Sequence, residues 1–364
     1  LASRYGKRNG IAVLVTSICT LAGVPYIALQ LKAVSTSLEV LVDPVLIQQS
    51  GISDTALMVA LAMIGFATLF GTRQVNVSEH HRGMMLAIAF ESVIKLAALV
   101  TLALFVIYVF FNGPADYMTS FRQIEVFDWN GPSLNFITQT ILAASAILVL
   151  PRQFHVTVVE NTDLRHLNQA RWGFSLYLIL ISLVILPITT AGLMLFPADT
   201  VNADTYVLLI PQATQQNWLS ALVFIGGFSA STAMIVITTL TLSTMLSNDV
   251  ILPLLMRGRM AEPRRQVGPA LIMVRRLAIV GVILAAWLYH HSFGGIDELS
   301  TIGLLAFSLV VQLMPALIGG LYWRKGNAWG AYGGMLIGTL LLADAEKLVA
   351  RKQWIAGHLQ TCGE

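Results

Sequence analysis

Long apolar stretches alternate with short polar ones along the whole chain. The apolar runs cover roughly residues 11–41, 56–72, 86–111, 133–150, 172–196, 217–246, 270–289, 298–322 and 328–343. A helix that crosses a bilayer needs about 20 such residues, within a range of about 17–25, and more when it tilts. Most runs fit. The first and sixth are long enough for a strong tilt, and the ninth is short. Barrel strands would alternate apolar and polar residues, whereas Leu176–Leu186 is apolar almost throughout. Backbone polar groups find no water in the hydrocarbon, so helices are the remaining solution. The pattern predicts an all-α polytopic membrane protein with nine visible spans.

Composition narrows the function classes. Of 364 residues, 56% are hydrophobic and 11% charged, and the mean hydropathy is +0.74. Soluble domains carry roughly 25% charge. A soluble enzyme, a nucleic-acid binder and a disordered segment are thereby excluded. Cys19 lies in an apolar run, far from Cys362, so neither a disulfide scaffold nor a cysteine metal cluster is implied. The sequence holds no phosphate-binding loop, dinucleotide glycine fingerprint, zinc motif or Gly-x-Ser-x-Gly elbow. No catalytic site and no metal site are predicted in these residues. His80–His81 and His290–His291 are adjacent pairs expected in exposed loops.

Basic residues then orient the spans. One set of connections carries Arg4, Lys7, Arg8, Arg73, Arg82, Arg152, Arg165, Arg171, Arg257, Arg259, Arg264, Arg265, Arg275, Arg276, Arg324 and Lys325; the alternate set carries Arg122 alone. Basic loops stay in the cytoplasm, so the N-terminus of this chain is expected there. Both ends are unusual under that reading. The chain starts at Leu1-Ala2-Ser3 with no methionine, and a charged amphipathic stretch from Ala345 to Lys352 follows a short ninth span. Helices preceding Leu1 and a segment missing near 343–345 would account for both. A plain tail after a short helix is the alternative. Residues 1–343 are read as one transmembrane domain, and 344–364 as a tail or juxtamembrane segment.

Ionisable groups inside spans are expensive unless they are paired or face water, which makes them candidates for function. Lys32 in the first run can snorkel to the headgroups or serve transport. Glu91 and Lys95 stand i,i+4 on the third run in the favourable order, so they either neutralise each other or belong to a substrate or proton path. Removing one partner is then expected to cost more than removing both. The fourth run meets Pro151 and continues through Arg152, Gln153 and His155, which predicts either a broken helix that supplies a cytoplasmic gate or an anchor, or a plain helix end. The sixth run is rich in small and hydroxyl residues from Gly226 to Ser247, a pattern of either close packing or ligand binding. Tyr26, Gln30, Lys32, Gln139, Arg152, Gln153, His155 and Gln312 are the candidate solute-contacting or gating residues.

Several stretches in order resemble the sodium:solute symporter family. They are Leu1–Gly6, Pro25–Val34, Phe90–Leu96, Pro151–His155, Leu246–Asp249, Gln312–Ala316 and Gly319–Arg324. Within it, the chain is similar to the permease-type domain of transporter-linked bacterial sensor histidine kinases, including the histidine-transporting kind. The resemblance extends from residue 1 to about 342. It implies a thirteen-helix protein with two inverted five-helix repeats, in which the first run here would be the fourth helix. It also implies a bacterial cytoplasmic membrane location and alternating-access transport of a small solute such as histidine. A nutrient-sensing domain that regulates an attached kinase is the alternative. The implied partners are the solute, membrane lipid, a cytoplasmic kinase domain in the same protein and its response regulator, with no nucleic acid. The family's coupling-ion serine–threonine pair would fall on Ala233 and Met234. Ser231 and Thr232 are offset by two residues, about 200° around a helix. A methyl and a thioether cannot replace two oxygens around a hard cation. The resemblance therefore leaves sodium or a proton as coupling ion, with the proton favoured, and implies no other cofactor.

Overall fold

The computed structural model describes residues 1–41, 54–71, 82–124, 131, 133–161, 163–196, 201–257, 267–293 and 299–361. His80–His81, Arg73, Arg259, Arg264, Arg265 and Cys362 lie outside the described residues. The described residues of each of the nine apolar runs are almost all helical. Helix α1 is Asn9–Leu41, α2 Thr55–Gly71, and α3 Arg82–Phe105, extended by a π turn at Val106–Phe110. A short helix, α4, spans Pro114–Arg122. Helices α5 (Leu134–Val149) and α6 (Pro151–Phe154, then a π turn at His155–Val159) form a bent pair. Next come α7 at Leu164–Leu195 and the short α8 at Tyr206–Ala213. Helix α9 (Asn217–Met245) leads through a π turn at Leu246–Ile251 into α10, Leu252–Arg257. The remainder are α11 (Val267–Phe293), α12 (Leu299–Val311), α13 (Met314–Tyr322) and α14 (Ala328–Thr361).

Among the described residues, six helical segments are long and apolar enough to cross a membrane: Asn9–Leu41, Met85–Phe110, Arg165–Leu195, Asn217–Leu254, Ala270–Ser292 and Leu299–Tyr322. The bent pair makes a seventh if it counts as one span, and Thr55–Leu69 is a shorter apolar helix. The chain is an all-α polytopic membrane protein. Large apolar side chains such as Leu176, Leu183 and Ile179 stand well exposed on α7. Water would not tolerate so broad an apolar face, and lipid solvates it.

Helix α1 is the centre of the bundle. It packs against α2, α9, α11, α12 and α14. Its buried Ile11, Ile18, Ile27 and Leu31 share a core with Ile235 and Leu242 of α9, Ile279 and Ile283 of α11, Val310 of α12 and Met335 of α14. A second core joins α3, α7, α8 and the start of α9 through Leu102, Ile188, Ile210 and Leu219. Helix α9 belongs to both cores, and small residues let it approach its neighbours. A methyl at Gly23 of α1 would collide with Leu242, and one at Gly226 would stand 3.0 Å from the Ala98 methyl of α3. The hydroxyls of α9 serve mainly this packing. Those of Thr232, Thr239, Thr241, Ser243 and Thr244 donate to carbonyls three or four residues back.

The chain's first residues are clamped to α13. The Tyr5 hydroxyl donates to the Ala316 carbonyl at 2.7 Å, and the Arg4 guanidinium donates to the Gly320 carbonyl. One helix, α14, carries both the ninth apolar run and the charged stretch after it. Helix α11 starts at Val267, inside the segment counted above as a basic loop, so the buried Arg275 stands on a span.

Candidate functional site

The site begins with a proline. Pro151 has no amide hydrogen to donate, and Leu150 before it adopts φ −59°, ψ 124°, outside the helical region. Helix α5 stops there, and α6 restarts at an angle of 48°. The new direction sets the Arg152 guanidinium 5.7 Å from the ring centroid of Tyr26 on α1. Tyr26 is buried. Its ring stacks with Phe307 of α12 at 6.5 Å, and its hydroxyl donates to the Met234 sulfur of α9 at 3.6 Å.

Arg152 also acts electrostatically on both Glu91 and Lys95 of α3. The absent side chain of Gly226 gives α9 its close approach to α3 there, with the Lys95 Cα 3.6 Å from where a methyl would sit. Arg152 thus touches Tyr26, which reaches Met234, and lies within electrostatic range of Glu91 and Lys95, so residues of four helices make up this candidate site. Its ionic groups are two cations and one carboxylate. In surroundings this apolar, the surplus positive charge suits a ligand that carries an anionic group.

A cavity of about 410 Å³ lies on the arginine-rich side, at the end of the bundle that holds the N-terminus. Leu148, Val149, Pro151, Phe154 and His155 of the bent pair form one wall; Ala12, Val15, Cys19, Thr241, Met245, Asp249, Leu313 and Leu317 form the others. Small-molecule sites occupy about 300–1,000 Å³. The polar groups of this cavity are held in place. Thr16 donates to Asp249 at 3.1 Å, and His155 Nε2 lies 3.4 Å from Glu160 Oε1. Two π turns, His155–Val159 and Leu246–Ile251, reach the cavity. Such turns gather at functional sites because they rotate the residues after them. Pro253, which cannot donate to the carbonyl four residues back, fixes the second turn's position.

The remaining candidates fall elsewhere. Gln312 lines a second cavity of about 430 Å³ with Tyr5, Pro315, Trp323 and Met335, and its amide donates to the Ser308 carbonyl at 3.2 Å. Gly338 of α14 leaves the room that this glutamine occupies. Gln139 is exposed on α5 and bonds Asn135 within its own helix. Gln30 and Gln153 are half-buried, and the Gln153 carbonyl accepts from Thr157. Ser231 is buried and Ala233 half-buried. The hydroxyl of Thr232 is engaged by Phe228, and the Met234 sulfur by Tyr26. Thr238 differs from its neighbours: its hydroxyl is buried without a hydrogen-bond partner among the described residues.

The histidines at the far end of α11 correct the sequence reading. Residues 290 and 291 belong to the helix, not to a loop, and His290 is half-buried. Apolar packing of α11 against α1 and α2 carries the helix past the end of its apolar run. Asp54, immediately before α2, accepts from Trp287 Nε1 at 2.8 Å and from the Leu57 amide at 3.1 Å. Burial raises the Asp54 pKa, but the bonds from Trp287 and the helix amides outweigh it and hold the carboxyl below its ordinary 3.8. A depressed carboxyl stabilises the fold above its unfolded-state value, and that contribution fades as pH falls through the folded value. Asp54→Asn is thus expected to lower the thermal midpoint at neutral pH, by an amount that shrinks as pH falls past the ordinary carboxyl value of 3.8 and through the lower folded value. A deficit of equal size at both pH values would show that the charge is not responsible.

Comparison with known proteins yields no match to a family model, a curated protein or a solved structure.

Proposed function

We propose that the chain is the solute-carrying part of a secondary transporter, working by alternating access. The observation that carries this reading is the break at Leu150–Pro151. One segment there both holds Arg152 over Tyr26 and walls the cavity at the arginine-rich end. Broken helices place binding groups near the middle of the membrane, and rocking of the surrounding bundle exposes them to each side in turn. In this reading the N-terminus and the cavity face the cytoplasm of a bacterium, and the described arrangement is open inward. The two-cation, one-carboxylate site suits the carboxylate of an amino acid. Histidine is the solute suggested by the symporter resemblance, which also supplies the five-plus-five inverted repeat and an attached kinase with its response regulator. The second reading is a nutrient sensor that uses the same site without transport.

Labelled histidine and purified protein in liposomes separate the two. A transporter exchanges internal unlabelled for external labelled solute, whereas a sensor binds without exchange. Transport is expected to be unchanged when sodium is replaced by potassium or choline, and to fall when a proton gradient is collapsed. The reason is local: Ala233 and Met234 stand where the resemblance expects the two cation-binding oxygens, and neither side chain has an oxygen to offer a hard cation. Uptake that saturates with external sodium at fixed pH and membrane potential would overturn proton coupling.

A further inference from the structure

A second polar cluster lies at the opposite end of the bundle from the cavity, where α1, α2 and α11 meet. Asp54 ties α2 to α11 through Trp287. The His291 ring stacks on Trp287 at 5.8 Å. His290 interacts electrostatically with Lys32 and Glu39 of α1, Asp54 and His291. Helix α9, which also packs against α11, has no ionisable residue in Asn217–Met245, and α2 has none in Thr55–Gly71. Tyr289 is the other titratable group beside His290 on α11 itself. Among the described residues, the buried Nδ1 of His290 has no hydrogen-bond partner.

That geometry treats the two forms of the ring differently. A neutral imidazole can leave Nδ1 as an unused acceptor at modest cost. An imidazolium needs an acceptor for both N–H groups, and here one of them would be buried and unmet, with the Lys32 ammonium opposing it. Protonation therefore favours an arrangement in which the ring reaches water or turns to Asp54 and Glu39. Such a change loosens the contact between α1 and α11. Lys32 stands six residues after Tyr26 on α1, about 9 Å along the axis, so one rigid helix links this cluster to the Arg152 site.

We propose that His290, set among Lys32, Glu39 and Asp54, is a proton-binding site, and that its occupancy opens this end of the bundle while closing the cavity at the other. The reaction is the addition of one proton to an imidazole, with no other bond made or broken. The inference rests on the alternating-access reading, but its test needs no transported solute.

Cys19 lines the cavity and is buried, so its alkylation reports cavity opening. The experiment measures N-ethylmaleimide labelling of the Cys19 peptide by mass spectrometry, in wild type and His290→Gln. The pH runs from about 5.5 to about 8, spanning the ordinary histidine range. The pH dependence of thiol chemistry is common to both proteins and cancels in their ratio. Wild type is expected to label about threefold more slowly than His290→Gln at the acid end, and equally at the alkaline end. A ratio independent of pH would overturn the proposal. If His290→Gln does not fold, Lys32→Met decides. It removes the opposing ammonium and is expected to reduce the acid slowing by roughly half, whereas slowing identical to wild type would overturn the proposal. Absence of histidine exchange in liposomes would sink the transport reading separately, since labelling is scored without solute.

Discussion

Glu91→Gln is expected to lower the amount of folded protein in the membrane far more than Lys95→Met. On the sequence alone the two residues are equal partners, and losing either should be equally harmful. Arg152 changes the balance, because it acts on both. Without Glu91, two cations remain with no counter-charge. Without Lys95, Glu91 keeps Arg152. Breaking a buried pair costs roughly 3–5 kcal/mol in soluble proteins. Glu91 and Lys95 are only half-buried, so about 2 kcal/mol for Glu91→Gln is the better scale. The double change is expected to recover part of the loss, and adding Arg152→Gln to recover more, since among the variants that lack Glu91 only the triple leaves no unmatched charge. Size-exclusion of solubilised membranes gives the folded fraction. Equal losses in the two single variants, with full recovery in the double, would mean that Arg152 takes no part.

Arg152→Lys and Tyr26→Leu are each expected to weaken histidine binding about tenfold, as measured by equilibrium binding of labelled solute to purified protein. A guanidinium over a buried aromatic face is worth about 1–2 kcal/mol where water is excluded, and 1.4 kcal/mol is a factor of ten. Lysine keeps the charge but loses the planar fork that stacks on the ring and can grip a carboxylate with two bonds. Tyr26→Phe separates the contributions. It retains the ring under Arg152 and loses only the weak hydroxyl contact to the Met234 sulfur, so affinity is expected to stay within about twofold. A Phe variant as impaired as the Leu variant would move the weight from the ring to the hydroxyl. Normalising to folded protein keeps stability apart from binding.

The sequence alone determined the class of the protein and the positions of its long apolar helices, but not the short helices Pro114–Arg122 and Tyr206–Ala213 between them. The reason is that the bilayer is a uniform solvent: about 20 apolar residues in a row suffice to predict a span, whatever their neighbours. The break at Pro151 was legible for a similar reason, since a missing amide hydrogen is a property of one residue. Glu91 and Lys95 could be singled out as charges inside a span and Arg152 by its place after the break; Tyr26 was a candidate, and Met234 entered only through the symporter resemblance. Which of them meet was decided by tertiary structure. The 48° bend and the close approach at Gly226 bring Arg152 into range of groups more than fifty residues away. Gln139 had equal standing in the sequence and ended on an exposed face. The pairs Thr16–Asp249 and Asp54–Trp287 each join residues 233 positions apart. Hydrophobic periodicity is too weak to orient such helices, because runs apolar on every side carry little information about rotation. Rotation about the axis is set by packing between helices, where small residues and isolated polar groups decide which faces meet.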